Sequence, residues 1–246
     1  MELAALAFAP GLAIGSFLNV IAARVPLRRS IVAPRSACMS CETPIALRDN
    51  IPLVSFVLLR GRCRHCGAQI SWRYPAVEGL TAVLVAASAW KFGLTWDFLV
   101  ASLFCATLVT VSATDLDRRI IPNRIVLPSA AAILVANTLL HPSVEWIAAG
   151  LAAAAALLLA ALAYPGGMGM GDVKLALLLG VALGRTVPVA LFIGMVSALA
   201  PAVVLLARHG SAARKMGIPF GPFLALGGVV ALFAGQSILH WYLGFM

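Results

Sequence analysis

Long apolar runs separated by short polar stretches dominate the pattern of this sequence. A bilayer core about 30 Å thick requires roughly 20 apolar residues per helix. The pattern therefore predicts an all-α fold, a polytopic membrane helical bundle with about eight transmembrane helices. The candidate spans are 3–23, 76–92, 97–114, 125–140, 146–164, 173–186, 187–207 and 219–243.

The sixth candidate span, 173–186, is the weakest, because glycines and Arg185 interrupt its apolar run. A short or partly embedded helix is expected there. Pro188 and Pro201 fall in the seventh span. Neighbouring helices in a membrane can satisfy the carbonyls that a proline leaves without a partner, so these prolines are expected to kink the helix without ending it.

Composition supports a membrane protein. Of the 246 residues, 62% are hydrophobic and 11% are charged, whereas globular domains carry about 25% charged residues. A water-soluble fold is therefore excluded, and the lipid bilayer is an expected partner. The net charge of +9 would suggest nucleic acid in a soluble chain, but in a membrane protein it marks cytoplasmic loops. No nucleic-acid partner is expected.

The basic residues are distributed unevenly between alternate connections. With the N-terminus outside, 16 of the 18 Lys and Arg residues fall on inner connections, including Arg214 and Lys215, and only Lys91 and Arg185 fall outside. This bias predicts that both termini lie on the outer side. The N-terminal run has no basic residue before Arg24, so it lacks the n-region of a signal peptide and is predicted to be a retained span.

Residues 24–75 form the one long soluble-like segment, which divides the chain into three predicted domains. These are a first transmembrane helix (1–23), a cytoplasmic four-cysteine domain (24–75) and a membrane domain (76–246). A segment of about 50 residues is too small to bury a stable core unaided and requires a covalent or metal staple.

Four cysteines in this segment have the spacing of a metal site. They occur as two C-x2-C pairs, Cys38 with Cys41 and Cys63 with Cys66. We call each C-x2-C pair a knuckle. Two such knuckles supply a tetrahedral shell of four thiolates, which is typical of structural Zn²⁺. Reduced thiols without metal, or an iron centre, remain alternatives. A closed shell leaves no open position, so the zinc is expected to support structure and not catalysis.

A carboxylate within a glycine-rich stretch is the first candidate for chemistry. Asp172 follows four glycines in six residues, Gly166, Gly167, Gly169 and Gly171, and precedes Lys174. Glycines let another backbone approach closely, and an ionisable residue at membrane depth is a functional-site hypothesis by default. The alternative is a simple boundary pair of Asp172 with Lys174.

A second acid falls at the same predicted membrane level. Asp115 ends the third span, and Asp117 follows two residues later, so on a helix the two point to nearly opposite sides. The helix position favours Asp115 as the partner of Asp172, because Asp117 begins an arginine-rich loop. Two adjacent carboxylates can catalyse aspartyl proteolysis: one accepts a proton from water and the other donates one to the scissile carbonyl.

Four segments in this order resemble the bacterial prepilin peptidases, also called type IV leader peptidases, and the resemblance covers nearly the whole chain. The segments are GSFLNVIAARVP (15–26), the cysteine segment DNIPLVSFVLLRGRCRHCGAQISWRYPAVEGL (49–80), DLDRRIIPN (115–123) and GMGMGDVKL (167–175).

The resemblance implies an enzyme of the bacterial inner membrane with Asp115 and Asp172 as catalytic acids on the cytoplasmic side. Gly169, Gly171 and Lys174 are expected to help position the substrate. The family cleaves the basic leader from type IV prepilins and related pseudopilins. Many members then methylate the new N-terminus with S-adenosylmethionine, an activity linked to the cysteine-bearing loop.

Two other functions remain open. Residues 24–75 contain no glycine fingerprint for the methyl donor, so the chain can be a peptidase without methyltransferase activity. It can also be a non-enzymatic membrane scaffold or transporter in which Asp115 and Asp172 conduct ions. Four polar or acidic residues in this region are candidates to meet the amine or the basic leader, and the alternative is that they are solvated or arginine-paired loop residues: Glu42, Asp49, Asn50 and Glu78.

Overall fold

The computed structural model describes residues 2–164, 167–210 and 217–244. Gly166, Arg214 and Lys215 of the sequence predictions lie outside these ranges. Within them the regular structure is helical. The α-helices are α1 (Glu2–Arg24), α2 (Val54–Leu58), α3 (Arg73–Phe92), α4 (Trp96–Arg118), α5 (Asn123–Leu140), α6 (Glu145–Ala163), α7 (Met170–Leu183), α8 (Val187–His209) and α9 (Gly221–Leu243).

The described residues contain six stretches that are long and apolar enough to cross a membrane, fewer than the eight predicted. The difference arises at two places. α3 is not among the six, and α7 and α8 are joined in one stretch of 40 residues, Met170–His209. Only a single 3-10 turn, Gly184–Thr186, separates α7 from α8. The prediction of a short sixth span is confirmed, since α7 has 14 residues.

Prolines fall where the helices tolerate them. Pro188 lies in the first turn of α8, and Pro201 lies inside α8 without ending it. The first turn of a helix needs no N–H from residue 188, because the first four N–H groups have no partner within the helix. The expectation that the seventh span continues through Pro201 is therefore confirmed.

The chain divides into two compact units, Met1–Ala113 and Thr114–Met246. In the first unit, α1 packs closely against α3. A Cβ atom added to Gly11 would lie 2.7 Å from the Cα atom of Ala82, and one added to Gly15 would lie 2.7 Å from the Cα atom of Glu78. Two glycines four residues apart thus form a surface on α1 that lets the α3 backbone approach, as small residues do in membrane helix pairs.

The loop between α1 and α3 is anchored to this helix pair by polar contacts. Asn19 of α1 donates a hydrogen bond from Nδ2 to the carbonyl of Tyr74 at 3.1 Å. Glu78 of α3 is 9% exposed and accepts the backbone N–H of Leu53 at 2.9 Å. The Asn19 bond therefore joins the two helices that flank the loop, and the Leu53–Glu78 bond holds the middle of the loop to α3.

In the second unit, α7 is the central helix. Leu175, Ala176, Leu178 and Leu179 are fully buried along it, which explains why this short helix is apolar nearly all round. Gly180 lies against the backbone of Ala149–Gly150 in α6 with no room for a Cβ atom.

Polar contacts distinguish the two ends of α7. At its C-terminal end, Asn137 of α5 donates to the carbonyl of Val181 at 2.9 Å, and Glu145 of α6 accepts the backbone N–H and the guanidinium of Arg185. The N-terminal end, where Asp172 lies, carries the acidic site.

Candidate active site

Asp115 lies in the last turn of α4 and is 5% exposed. One of its carboxylate oxygens, Oδ2, accepts the backbone N–H of Gly221 at 2.9 Å. Asp117, two residues later, is exposed. The two acids therefore point to different environments, as their spacing on a helix predicts, and only Asp115 faces the interior.

Asp172 is the third residue of α7 and is 8% exposed. Its Oδ2 atom accepts the backbone N–H of Gly169 at 3.2 Å, and its own N–H donates to the carbonyl of Gly169 at 3.1 Å. Gly169 has an extended backbone and stands immediately before the helix. The side chain of Asp172 thus caps the N-terminus of its own helix, where the helix dipole favours a negative charge.

The structure brings Asp115 and Asp172 together. They are 57 positions apart in sequence but belong to the same compact unit, and their carboxylates are close enough to interact electrostatically. As a general rule, two neighbouring carboxylates are more stable when they hold one proton between them than when both are ionised. That is the arrangement required for one group to act as a base while the other acts as an acid.

The segments that carry the two acids are joined by further contacts. A Cβ atom on Gly171 would lie 2.9 Å from the Cβ atom of Ile121, so the glycine lets the start of α7 meet the turn after α4. Lys174 donates from Nζ to Oδ1 of Asn123 at 2.9 Å. The structure therefore pairs Lys174 with Asn123 and not with Asp172.

The residues predicted to position the substrate thus all contact other parts of the candidate site. Gly169 holds Asp172, Gly171 contacts Ile121, and Lys174 binds Asn123. A role for these three residues toward the substrate stays a prediction. The sequence analysis missed Gly221. The segment PFGPF at 219–223, in which the glycine lies close to two prolines and two phenylalanines, was a signal that could have drawn attention to it.

The four predicted metal ligands form one cluster in the first unit. The Sγ atoms of Cys38, Cys41, Cys63 and Cys66 all lie within 4.8 Å of one another. The distance is 3.8 Å between the Sγ atoms of Cys38 and Cys66 and 4.0 Å between those of Cys41 and Cys63. Zn–S bonds of about 2.3 Å in a tetrahedron place sulfurs about 3.8 Å apart, so the spacing fits a four-thiolate metal site.

The two knuckles have matching backbone geometry. The N–H of Cys38 donates to the carbonyl of Thr43 and that of Cys63 to the carbonyl of Ala68. The residue after the second cysteine, Glu42 in one knuckle and Gly67 in the other, has φ of 56° and 70°. Each tight turn therefore directs two thiols to the same side. His65, inside the second knuckle, is exposed and lies outside the cluster.

Backbone and side-chain donors prepare most of these thiols for ionisation. Hydrogen bonds from the backbone of Cys41 and Ser40 lower the pKa of the Cys38 thiol, and the hydroxyl and backbone of Thr43 lower the pKa of the Cys41 thiol. Hydrogen bonds from the backbone of Cys66 and His65 lower the pKa of the Cys63 thiol.

Cys66 differs from the other three thiols. A backbone hydrogen bond from Ala68 favours its thiolate, but hydrogen bonds with the neighbouring thiols and burial outweigh it and raise the pKa of Cys66 to about 11. Like charges close together disfavour further ionisation, so the last thiol of a cluster of four close sulfurs is the hardest to deprotonate.

The acidic residues near the cysteines form contacts within the loop and its anchoring helix. Asp49 binds Arg64 of the second knuckle in a bidentate pair, with N–O distances of 2.7 and 2.9 Å. The Arg64 guanidinium holds the pKa of Asp49 below its usual range. Glu78 accepts the N–H of Leu53. Both residues therefore support the loop structurally.

An open cleft of about 560 Å³ lies at the other end of the second unit, near the C-terminus of α7. It is lined by His141, Glu145, Trp146, Arg185 and Gln236, among others. Leu183, which lines the cleft at the end of α7, is eleven positions after Asp172, a distance of about 17 Å at 1.5 Å per residue. The cleft is therefore distinct from the pair of acids.

Two family profiles match the chain. The profile described as Bacterial Peptidase A24 N-terminal domain matches residues 10–92, which include the four cysteines. The profile described as Type IV leader peptidase family matches residues 102–203, which include Asp115 and Asp172. No solved structure matches the chain at a significant level.

Curated relatives match over almost the whole length of the chain. A prepilin leader peptidase/N-methyltransferase of Bacillus subtilis (strain 168) is 37% identical over 239 residues, covering 95% of both chains. The protein of the same name from Aeromonas hydrophila is 37% identical, covering 97% of this chain and 93% of the relative. That from Pseudomonas aeruginosa is 34% identical, with coverage of 96% and 91%.

Proposed function

The chain belongs to the type IV leader peptidase family, and we propose that it is a membrane aspartyl endopeptidase. It removes the basic leader from type IV prepilins or pseudopilins and then methylates the new N-terminal amine. The observation that carries the peptidase proposal is the meeting of Asp115 and Asp172, two buried carboxylates that interact within one unit.

The proposed cleavage needs no group other than the two acids and water. The ionised carboxylate accepts a proton from the water, whose oxygen attacks the carbonyl carbon of the scissile bond. The protonated carboxylate donates to the carbonyl oxygen, which gives a tetrahedral diol. In the collapse of the diol, the second carboxylate takes back a proton from one diol hydroxyl, the C–N bond breaks, and the amine takes a proton from the first carboxyl group. A new carboxyl terminus forms on the leader, and the two acids return to their starting protonation states.

The four-cysteine cluster supports a structural metal, and Zn²⁺ is the ion that we propose. Four thiolates at this spacing fit a tetrahedral ion and leave no open position. When bound, the metal crosslinks the loop of about 50 residues. The Asp49–Arg64 pair and the Glu78–Leu53 contact supplement that crosslink.

The methyltransferase proposal rests on the names of the relatives and on the retained cysteine loop. S-adenosylmethionine is the proposed methyl donor, and it supplies an electrophilic methyl group to the free amine of the cleaved pilin. Residues 24–75 carry no glycine fingerprint, so no donor-binding residues are assigned to the chain.

The proposed location is the bacterial inner membrane, with both termini outside and the acids and cysteines on the cytoplasmic side. Asp115, Asp172 and Gly221 all lie at helix ends on inner connections of the predicted topology. The basic side chains in the segment 24–75 favour electrostatic attraction to the anionic lipids of the inner leaflet.

Substitution of the acids tests the peptidase proposal. Asp115→Asn and Asp172→Asn should each abolish cleavage of a purified prepilin, because an amide cannot exchange the proton. Asp117→Asn is the matched control, two residues from Asp115 on the exposed side of the helix, and should retain cleavage. Mass spectrometry of the product measures both the cut and the added methyl group. Wild-type rates in either variant of the pair would refute the proposal.

A further inference from the structure

We propose that Gly221 is a positioning residue for Asp115. This inference rests on the proposed peptidase function. Its backbone N–H holds one oxygen of the Asp115 carboxylate, and its lack of a side chain leaves the space that this oxygen occupies.

The contact is direct and enclosed. The N–H of Gly221 donates to Oδ2 of Asp115 at 2.9 Å across 106 positions of sequence, and both residues are buried. A hydrogen bond from a backbone donor to a carboxylate is among the stronger neutral-to-charged bonds in proteins. It restricts the rotation of the carboxylate and leaves Oδ1 as the oxygen that this bond does not occupy.

The position of Gly221 in α9 makes this donor available. The first N–H groups of a helix have no partner within the helix. Here the N–H groups of Phe223 and Leu224 both donate to the carbonyl of Phe220, and Pro222 has no N–H. Among residues 221–224, Gly221 is therefore the donor that remains for a side chain, and it is the one that meets Asp115.

Glycine is required at this position by space and not by backbone conformation. The φ of Gly221 lies outside the left-handed region, so other residues could adopt it. A Cβ atom there would, however, lie 2.9 Å from Oδ2 and 3.3 Å from Cγ of Asp115. Alanine would displace the carboxylate, although it keeps the same N–H.

The two acids are held in the same way. Asp172 also accepts one backbone N–H from a glycine, Gly169, through its Oδ2 atom at 3.2 Å. Each carboxylate thus has one oxygen fixed by a backbone donor. Gly221 therefore holds Asp115 as Gly169 holds Asp172, by a backbone N–H, but Gly221 lies far from Asp115 in the sequence.

Kinetics of Gly221→Ala test the catalytic part of the proposal. We expect kcat for prepilin cleavage to fall by about tenfold or more, because a small displacement of a reacting group is costly, while KM changes little. The matched control is Gly235→Ala, also in α9, where the added Cβ would lie 3.0 Å from Cβ of Thr186, at the opposite end of the unit. It should retain kcat. Equal losses in both variants, or an unchanged kcat in Gly221→Ala, would overturn the proposal.

A double-mutant cycle tests the steric part without any activity measurement. Gly221→Ala should lower Tm in the wild-type background and should lower it far less in an Asp115→Ala background, where the carboxylate is absent. An equal loss of Tm in both backgrounds would show that Gly221 does not accommodate Asp115. Because this readout requires no cleavage, failure of the peptidase proposal and failure of this inference can be told apart.

Discussion

At the scale of single residues, the choice between Asp115 and Asp117 shows what helical geometry can decide. Two acids two positions apart cannot face the same neighbour on a helix. The sequence predicted Asp115 as the inward residue, and the structure buries Asp115 while it exposes Asp117. The burial of Asp115 is a structural fact, whereas the catalytic roles are the proposal that the Asp→Asn variants test.

The contact between Gly171 and Ile121 gives a prediction at this scale. Gly171→Ala adds a Cβ atom 2.9 Å from that of Ile121, so the start of α7 must move and Asp172 must move with it. Because near-attack geometry tolerates little displacement, we expect at least about tenfold slower prepilin cleavage. The control is Gly79→Ala, whose Cβ atom would make only an ordinary contact, 3.9 Å from Leu53.

Normal cleavage by Gly171→Ala, together with a Tm equal to that of the unmodified chain, would show that this contact does not position Asp172. Gly79→Ala should have normal activity and a Tm that is unchanged or slightly higher, because alanine is favoured over glycine within a helix by up to about 1 kcal/mol.

The partner of Lys174 shows where residue-level reasoning fails. A lysine two positions after an aspartate suggests a local pair, but the lysine instead reaches Asn123 at 2.9 Å. Residues two apart on a helix do not face each other, which argues against the local pair. The identity of the distant partner depends on tertiary packing, which the spacing along one segment does not encode. Gly221 was missed for the same reason.

At the scale of elements, the α1–α3 pair gives a prediction about stability. Gly15→Val would force α1 away from Cα of Glu78 and should destabilise the protein by about 1–3 kcal/mol, the usual cost of overpacking. Ala13→Val on the exposed side of α1 is the control. Thermal or denaturant unfolding in detergent micelles measures the difference. Equal stability of the two variants would contradict the packing described here.

The four-cysteine loop gives a second prediction at this scale. The purified protein should contain one Zn²⁺ per chain, and Cys63→Ser should remove it, as measured by elemental analysis. A loop stapled by metal should also become sensitive to protease when a chelator is added. Full metal content in Cys63→Ser would show that the four sulfurs do not act as one site.

Metal affinity should also depend on pH. Metal binds thiolates, and in the metal-free loop the pKa of Cys66 is about 11, so at neutral pH binding must release at least that proton. Affinity should therefore rise as pH increases through the neutral range and fall as pH decreases. Competition with a chromophoric chelator at several pH values measures this trend. An affinity independent of pH would contradict thiolate ligation.

Periodicity and composition predicted where the helices lie better than they predicted how many of those helices count as membrane spans. All eight predicted spans correspond to helices, seven of them long and one, α7, of 14 residues, because a long apolar run in a bilayer has few other stable conformations. The count of six candidate spans differs because α3 carries polar residues, including Glu78, that serve the loop, and because only a 3-10 turn separates α7 from α8. The short helix α2 in the loop was not predicted, since five residues give too little periodicity to detect.

At the scale of the whole molecule, the proposed orientation has a direct test. Ser143 lies in the connection between α5 and α6 and is exposed, and the predicted topology places it outside. A Ser143→Cys variant in intact spheroplasts should react with a membrane-impermeant maleimide. Ser40→Cys, in the first knuckle, should react only after the membrane is opened. The reverse pattern would invert the proposed topology and place the acids on the wrong side for a cytoplasmic leader.

The length of α7 has a consequence for the lipid around this protein. Its 14 residues extend about 21 Å at 1.5 Å per residue, whereas a typical hydrocarbon core is about 30 Å thick. The charged Glu145–Arg185 pair lies at the C-terminal end of this helix, which the proposed topology places outside. Charges favour the headgroup region, so in that topology the missing length falls at the end that carries Asp172. In the proposed orientation, the acids would lie below the level of the inner headgroups, and the bilayer would have to thin locally for water to reach them. We therefore expect prepilin cleavage to become slower in vesicles whose lipids have longer acyl chains, because less water would reach the acids. Membrane thickness would then regulate the rate of cleavage.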